Sequence, residues 1–327
     1  MAEREHIEIV VPCYNEQECV RPLYEACREV LADTDGVRFS MLFVDDGSRD
    51  NTFAEIVRLA EEAGDEVVRY ISFARNFGKE SAIYAGLEHA RGDYVVLMDA
   101  DLQHPPELIP KMLEELRKGH DCCGARRVTR EGEPVFRSIF SRMFYKTINH
   151  LTAMELVPGG GDFRMMTKQM ADAIVSLSER ERFIKGIMSW VGFDTVWIPY
   201  QNVKRYAGKT KWSFFGLAGY AWNGFVAFAT TPLRAVMYLG MVITLISAIA
   251  AIHRFVHAIT GITDRTGWST IVILILFFGG VIITILGIMG EYLARIYLEL
   301  KNRPIYISKR TNIREAGKDG EMKTDER

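Results

Sequence analysis

Two aspartates one residue apart close an apolar run. The stretch Val95–His104 reads VVLMDADLQH, and its carboxylates are Asp99 and Asp101. Hard oxygen ligands at this spacing suit Mg²⁺ or Mn²⁺ bridging a diphosphate, because the ion neutralises charge that the protein alone would repel. Taken alone, an Asp-rich turn that caps the next helix explains such a pair as well. It is not alone. Pro12-Cys13-Tyr14-Asn15-Glu16 ends one apolar run and Asp45-Asp46-Gly47-Ser48 ends another. A ring such as Tyr14 can stack on a base, and a carboxylate such as Asp46 can accept from a base N–H or a ribose hydroxyl. The three clusters together describe a nucleotide-diphosphate site that needs a divalent ion.

Elements of alternating type must bring these clusters together. Ile7–Val11, Phe39–Val44, Val67–Phe73 and Val95–Met98 are short apolar runs bounded by turn residues, the pattern of buried strands. Val20–Leu31, Thr52–Ala63 and Lys79–Ala90 carry helical spacing between them. Alternation of this kind predicts an α/β fold with a mostly parallel sheet and right-handed crossovers. All three clusters then fall at the carboxyl ends of strands, where open α/β sheets hold their ligands.

The chain has 327 residues with 40 basic and 42 acidic side chains, so no overall field argues for nucleic acid. Apolar residues are unevenly spread. Ala235–Ile252 is 18 residues without a charge and Trp268–Gly290 is 23, each long enough to cross a membrane as a helix. Basic residues flank the pair (Lys204, Arg205, Lys209, Lys211 and Arg234 before, Arg295, Lys301, Arg303, Lys309 and Arg310 after), while His253–Gly267 between them holds only Arg254 and Arg265. This bias places both termini and the N-terminal domain in the cytoplasm. The charged opening Met1–His6 is not a secretory signal. Pro134–Val157 sets an apolar stripe beside Arg137, Arg142 and Lys146, and Ser213–Thr231 is uncharged and aromatic. Both read as interfacial segments. Cys13, Cys19, Cys27, Cys122 and Cys123 form no CxxC pair and read as reduced thiols. The tail Glu315–Arg327 is charged and expected to be disordered.

The segments VVPCYNE, FVDDGSRDNT, RNFGKESAIYAGLEHARGDYVVLMDADLQHPPE and GGGDFRMM resemble glycosyltransferase family 2. More narrowly they are similar to its polyprenyl-phosphate branch, the dolichol-phosphate-mannose synthases and bacterial GtrB-type enzymes. The similarity runs from Ile7 to about Ile307 and includes GEYLARIYLELKNRPIY. It implies a GT-A-type (Rossmann-like) catalytic domain over residues 1–130, an acceptor-side region with amphipathic juxtamembrane helices over 131–231, two transmembrane helices within 232–300 and a cytoplasmic tail over 301–327. It implies a nucleotide pocket at Pro12, Tyr14, Asn15, Glu16, Val44, Asp45 and Asp46, a metal site for Mg²⁺ or Mn²⁺ at Asp99 and Asp101 with Gln103 nearby, and acceptor-phosphate contacts at Arg126, Arg127, Arg137, Arg205 and Lys211. Guanidinium forks and ammonium groups suit phosphate oxygens there.

The activity so implied is inverting transfer of a hexose onto a polyprenyl phosphate such as undecaprenyl phosphate, at the inner (cytoplasmic) membrane, by a multi-pass and homo-oligomeric enzyme serving surface-polymer decoration. UDP-glucose is the favoured donor, and GDP-mannose, UDP-GlcNAc and an aminoarabinose donor stay open. Asp162, in Gly159-Gly160-Gly161-Asp162-Phe163-Arg164, is a further catalytic candidate. The glycines permit either close approach to a ligand or a tight turn. A phosphate monoester, with its second pKa near ~6, is largely ionised at neutral pH. Positioning of a sugar hydroxyl or the acceptor therefore ranks ahead of base catalysis for Asp162. A processive polysaccharide synthase would carry a QxxRW-type motif and more spans; this chain has Glu181-Arg182-Phe183-Ile184-Lys185 at the corresponding place. A non-catalytic membrane scaffold is the remaining rival, and intact Asp99 and Asp101 argue against it.

Overall fold

The structure is a computed structural model describing residues 4–128, 157–177, 179–180, 182–201 and 267–313, with scattered positions between 238 and 256. The chain divides into two compact units, Met1–Gly219 with Pro304–Arg327, and Tyr220–Arg303.

The first unit is built on an eight-stranded sheet of order β7-β5-β6-β4-β1-β2-β3-β8. Its strands are β1 (Glu5–Cys13), β2 (Val37–Asp45), β3 (Val68–Phe73), β4 (Tyr94–Leu97), β5 (Cys122–Arg127), β6 (Gly160–Thr167), β7 (Thr195–Tyr200) and β8 (Ser308–Thr311). β4, β1, β2 and β3 run parallel, as does the β5–β7 pair, while β6 is antiparallel to both β4 and β5. This bears out the α/β, mostly parallel, GT-A-like fold.

Central strands covered on both faces need apolar residues at consecutive positions. β1 supplies Ile7, Ile9, Val10 and Val11, all fully buried. Glu8 is the exception within that strand. It is ion-paired to Arg69 of β3 and accepts a hydrogen bond from the Ser40 hydroxyl at 3.2 Å, so the buried charge is compensated.

Helices α1 (Val20–Ala32), α2 (Thr52–Ala63), α3 (Lys79–Glu88) and α4 (Ile109–Arg117) follow the parallel strands, and α5 (Lys168–Ser176) and α6 (Ile184–Trp190) follow β6. α1 buries Val20, Leu23, Tyr24, Cys27 and Leu31, one stripe at helical spacing. α3 lies tight on the sheet. A Cβ at Gly86 would come within 2.2 Å of the Val10 Cγ1. All five cysteines are free and buried.

β8 has no counterpart in the sequence reading. It pairs antiparallel with β3, and Tyr306 just before it stacks on Phe73 with ring centroids 4.9 Å apart. The Tyr306 hydroxyl also donates to Glu88 at 2.6 Å. Residues 304–313 thus cover an edge strand that would otherwise expose unpaired amides.

In the second unit a helix of 33 residues, α7, spans Trp268–Leu300. Its Phe277–Leu300 portion contains an 18-residue stretch of mean hydropathy 1.8 that is not buried by protein. Among the described residues this is one helix long and apolar enough to cross a membrane. The described positions between 238 and 256 are helical, but the expected first span otherwise lies outside the described residues. So do the interfacial segments, with Arg137, Arg205 and Lys211, and the tail beyond residue 313.

Candidate active site

The carboxyl ends of β1, β2 and β4 share one edge of the sheet, because parallel registry sets Cys13 beside Asp45 and Val10 beside Leu97. A cavity of about 390 Å³ opens there, lined by Pro12, Tyr14, Glu16, Asp46, Asp99 and Asp101 together with Cys13, Asn76, Gly78, Lys79, Ala82 and Ala100. That volume suits a nucleotide-sized ligand. Six of the residues expected from sequence therefore meet in one place.

Four others stand behind it. Asn15, in the left-handed region at φ 53°, donates its N–H to the Ser48 hydroxyl at 2.9 Å and accepts from the Arg49 N–H at 2.8 Å. It stitches the loop after β1 to the loop after β2. Val44 is fully buried in an apolar cluster with Leu42, Ile71, Phe73, Ala82 and Ala85. Asp45 is buried and accepts from the Ser48 N–H at 3.1 Å and the Ser72 hydroxyl at 2.8 Å. The alternation of a strand turns it away from the cavity that Asp46 lines. Gln103 donates its N–H to the Asp101 Oδ1 at 3.1 Å. Between them Leu102 adopts φ 58°, a left-handed conformation costing a non-glycine residue about 1 kcal/mol or more, held at the turn that carries Asp101.

Asp46 is 3% exposed and accepts from the Phe77 N–H at 2.6 Å and the Gly78 N–H at 3.0 Å. Burial pushes its carboxyl up to about 6 against the opposing pull of those two amides. Asp46 thereby both lines the cavity and orders the loop that begins α3.

Lys79, which the motif contained but to which the sequence reading attached no role, is the centre of the charge arrangement. Its Nζ lies 2.7 Å from the Asp99 Oδ1 and 2.7 Å from the Asp162 Oδ2. Burial opposes the ammonium charge, but Asp162 and Asp99 outweigh it and raise the lysine pKa. The Asp162 Oδ1 is buried, makes no hydrogen bond and lies 3.7 Å from the Lys185 Nζ. Burial alone would raise the Asp162 pKa, yet Lys79 and Lys185 prevail and hold it far below the usual carboxylate range.

Of the glycines before Asp162, Gly159 lies in a tight turn and Gly160 and Gly161 open β6. Gly159 has φ 83°, and a Cβ there would approach the Arg127 carbonyl oxygen to 2.7 Å. A Cβ at Gly160 would meet the Trp197 ring at 2.6 Å. Arg126 pairs with Gly160 across the β5–β6 ladder, donates from Nε to the Pro158 carbonyl at 3.2 Å and is exposed. Arg127 follows it and donates its N–H to the Gly159 carbonyl at 3.0 Å. Both arginines thus border the turn that precedes β6.

A larger cavity of about 670 Å³ is lined by Val157, Gly160, Arg164, Lys185, Met188, Trp197 and the loop Gly192–Thr195. It lacks the paired carboxylates, so size does not make it the donor site. Asp162 stands between the two cavities through its contacts with Lys79 of one and Lys185 of the other. His104, also missed from sequence, is 8% exposed and stacks on Phe163 with centroids 5.1 Å apart. Burial lowers its pKa, so the imidazole beside the carboxylates is neutral. Arg182, at the place where a QxxRW motif would fall, donates to the Ile174 carbonyl at 3.1 Å and lies 4.6 Å from the centroid of the Tyr84 ring. It caps the end of α5.

Among the described residues no three His, Cys, Asp or Glu side chains gather into a ready-made metal cage. The donor set nevertheless fits Mg²⁺ or Mn²⁺, which is held by one or two carboxylates completed by substrate phosphates and water. An ammonium already sits against Asp99, so the place is built for a cation.

Residues 8–175 match the family described as Glycosyl transferase family 2. The chain is 42% identical over 307 residues to a putative glycosyltransferase, CsbB, of Bacillus subtilis (strain 168), covering 94% of this chain and 92% of that one. It is 37% identical over 306 residues to the SfII prophage-derived bactoprenol glucosyl transferase of Shigella flexneri, covering 94% and 98%. A prophage bactoprenol glucosyl transferase homolog of Escherichia coli (strain K12) is 36% identical over 304 residues, covering 93% and 98%. With the strand-end carboxylates in place and similarity along nearly its whole length, the chain belongs to glycosyltransferase family 2.

Proposed function

We propose that this glycosyltransferase moves glucose from UDP-glucose onto a polyprenyl phosphate at a membrane. The observation that carries the reading is the single cavity joining Tyr14, Asp46, Asp99 and Asp101 at the carboxyl edge of the parallel strands. The relatives named bactoprenol glucosyl transferases support the sugar and the lipid, and the apolar helix α7 supports the membrane.

In this reading Tyr14 stacks on the base and Asp46 accepts from the nucleoside. Asp99 and Asp101 would hold Mg²⁺ or Mn²⁺, which supplies Lewis-acid neutralisation of the departing diphosphate. An oxygen of the lipid phosphate attacks the anomeric carbon, the bond from that carbon to the UDP oxygen breaks, and the configuration inverts. The attacking oxygen is already ionised, so no proton has to leave it. Asp162, held ionised between two lysines, is a weak base. Its Oδ1, which makes no hydrogen bond, accepts a sugar hydroxyl and so orients the donor. Arg164 and Lys185 of the second cavity offer positive charge on the far side of Asp162, from which an anionic acceptor approaches. Arg126, Arg127, Arg137, Arg205 and Lys211 are the further phosphate contacts. The positive-inside bias puts the catalytic unit on the cytoplasmic face, with a second span within 232–267.

The test uses the purified full chain in detergent with UDP-glucose and undecaprenyl phosphate. UDP release and lipid-extractable label are both expected to require the lipid and a divalent ion. Glycolipid made at the wild-type rate by Asp99→Ala/Asp101→Ala in chelator would sink the reading.

A further inference from the structure

The position of Lys79 assigns it a function beyond neutralising two partly exposed carboxylates. It opens α3, where the helix dipole is unfavourable to a cation. It bridges Asp99, just after β4, and Asp162, within β6, at 2.7 Å to each. The oxygen it occupies, Asp99 Oδ1, belongs to the carboxylate pair read above as the metal ligands. An ammonium in contact with that carboxylate and a divalent ion ligated by it repel each other, and desolvation at the cavity wall makes the repulsion larger than in bulk water.

We propose that Lys79 is a resident counter-cation that competes with the divalent ion for Asp99, so that the ion is taken up well only together with the donor diphosphate. The proposal rests on the metal-dependent reading of the site. Without donor, Lys79 balances Asp99 and Asp162 and keeps both in place. When the diphosphate enters, its negative charge favours both cations at once. Asp99 turns to the ion, and Lys79 keeps Asp162 while its released N–H faces the phosphate side of the cavity it lines. Donor and metal loading are thereby coupled through one side chain. Asp162 stays ionised throughout, because its partner does not leave.

The experiment measures Mn²⁺ binding to the full chain in detergent micelles by the loss of the free-ion paramagnetic signal, with and without UDP. Lys79→Met is expected to bind Mn²⁺ about tenfold or more tightly than wild type in the absence of UDP, since a unit charge in contact with the ligand is removed. UDP should improve Mn²⁺ affinity strongly in wild type and much less in Lys79→Met. Lys79→Arg, which keeps the charge, should stay near wild type. Lys79→Gln replaces Lys79→Met if the apolar variant does not fold. Glucosyl transfer should fall in both neutral variants although they hold metal better, a crossing of signs that lost packing alone does not produce. Unchanged or weaker Mn²⁺ affinity in the neutral variants overturns the proposal while leaving the metal reading intact, as does an equal tightening in Lys79→Arg. Absence of Mn²⁺ binding by wild type and variants alike, with or without UDP, overturns the metal reading and the proposal with it.

Discussion

Asp46 ties donor binding to pH in a direction opposite to its effect on stability. Its carboxyl, pushed up to about 6 from 3.8 by burial, is about 97% ionised at pH 7.5 and about 9% ionised at pH 5. If the nucleoside is bound by the carboxylate, UDP affinity falls about tenfold between those two pH values. The fold responds the other way. A carboxyl whose folded pKa lies above its unfolded one contributes stability that is fully present below the unfolded value and is lost as pH rises through the folded value. From the two values, lowering the pH from 7.5 to 5 stabilises wild type by about 1.4 kcal/mol relative to a variant without the titrating group. For a unit of this size that corresponds to a melting shift of roughly 3–6 °C. Asp46→Asn is the matching control, because a carbonyl at the Oδ1 position still accepts from Phe77 and Gly78, at 2.6 and 3.2 Å. The assay is UDP titration calorimetry across pH 5–7.5 on wild type and Asp46→Asn, with thermal melts of both. A flat wild-type affinity, or a fall that persists in Asp46→Asn, refutes the reasoning.

Asp162→Asn should weaken the fit of donor, lowering kcat/KM about 10- to 100-fold as one charge-assisted hydrogen bond is lost, while turnover at saturating donor keeps its pH profile. A collapse of turnover that also removes an acidic limb would instead make Asp162 the base. Gly86→Ala gains about 1 kcal/mol of helix propensity, but its Cβ would stand 2.2 Å from Val10 Cγ1 on a central strand. Overpacking of that severity costs about 1–3 kcal/mol, so the variant should melt lower, and Val10→Ala should restore it. A Gly86→Ala protein that melts higher contradicts the tight seat of α3. Tyr306→Ala removes the ring stacked on Phe73 and the bond to Glu88, releasing about 2 kcal/mol of docking energy. Amide exchange at Tyr70 and Ala74, whose N–H groups donate to Asn312 and Ile307, should then accelerate; unchanged protection would show that β8 stands without the tyrosine.

Much of the catalytic unit is legible from local pattern. Runs such as Ile7–Val11 and Val95–Met98 are apolar at consecutive positions because both sheet faces are covered, and that constraint acts within a few residues of chain. The helix over Thr52–Ala63 falls where its spacing places it. The clusters PCYNE, DDGS and DAD mark strand ends, and parallel pairing does the rest. The sharper assignments were not legible to the same degree. Val44, Asp45 and Asp46 are adjacent, and only the twist and pleat of β2 decide that Asp46 faces the cavity while Asp45 turns to Ser72.

By itself, then, the amino-acid order determined the four parallel strands β1 to β4 and the three helices between them, that the polar clusters crown that part of the sheet, and that long apolar stretches are present. Tertiary packing decided which charges meet. Lys79 reaches Asp162 across 83 positions of chain, and β8, which follows the apolar helix in sequence, pairs with β3. Burial periodicity is written over four to eleven neighbours, whereas a contact between distant side chains depends on the path of everything folded between them. No local pattern carries that information.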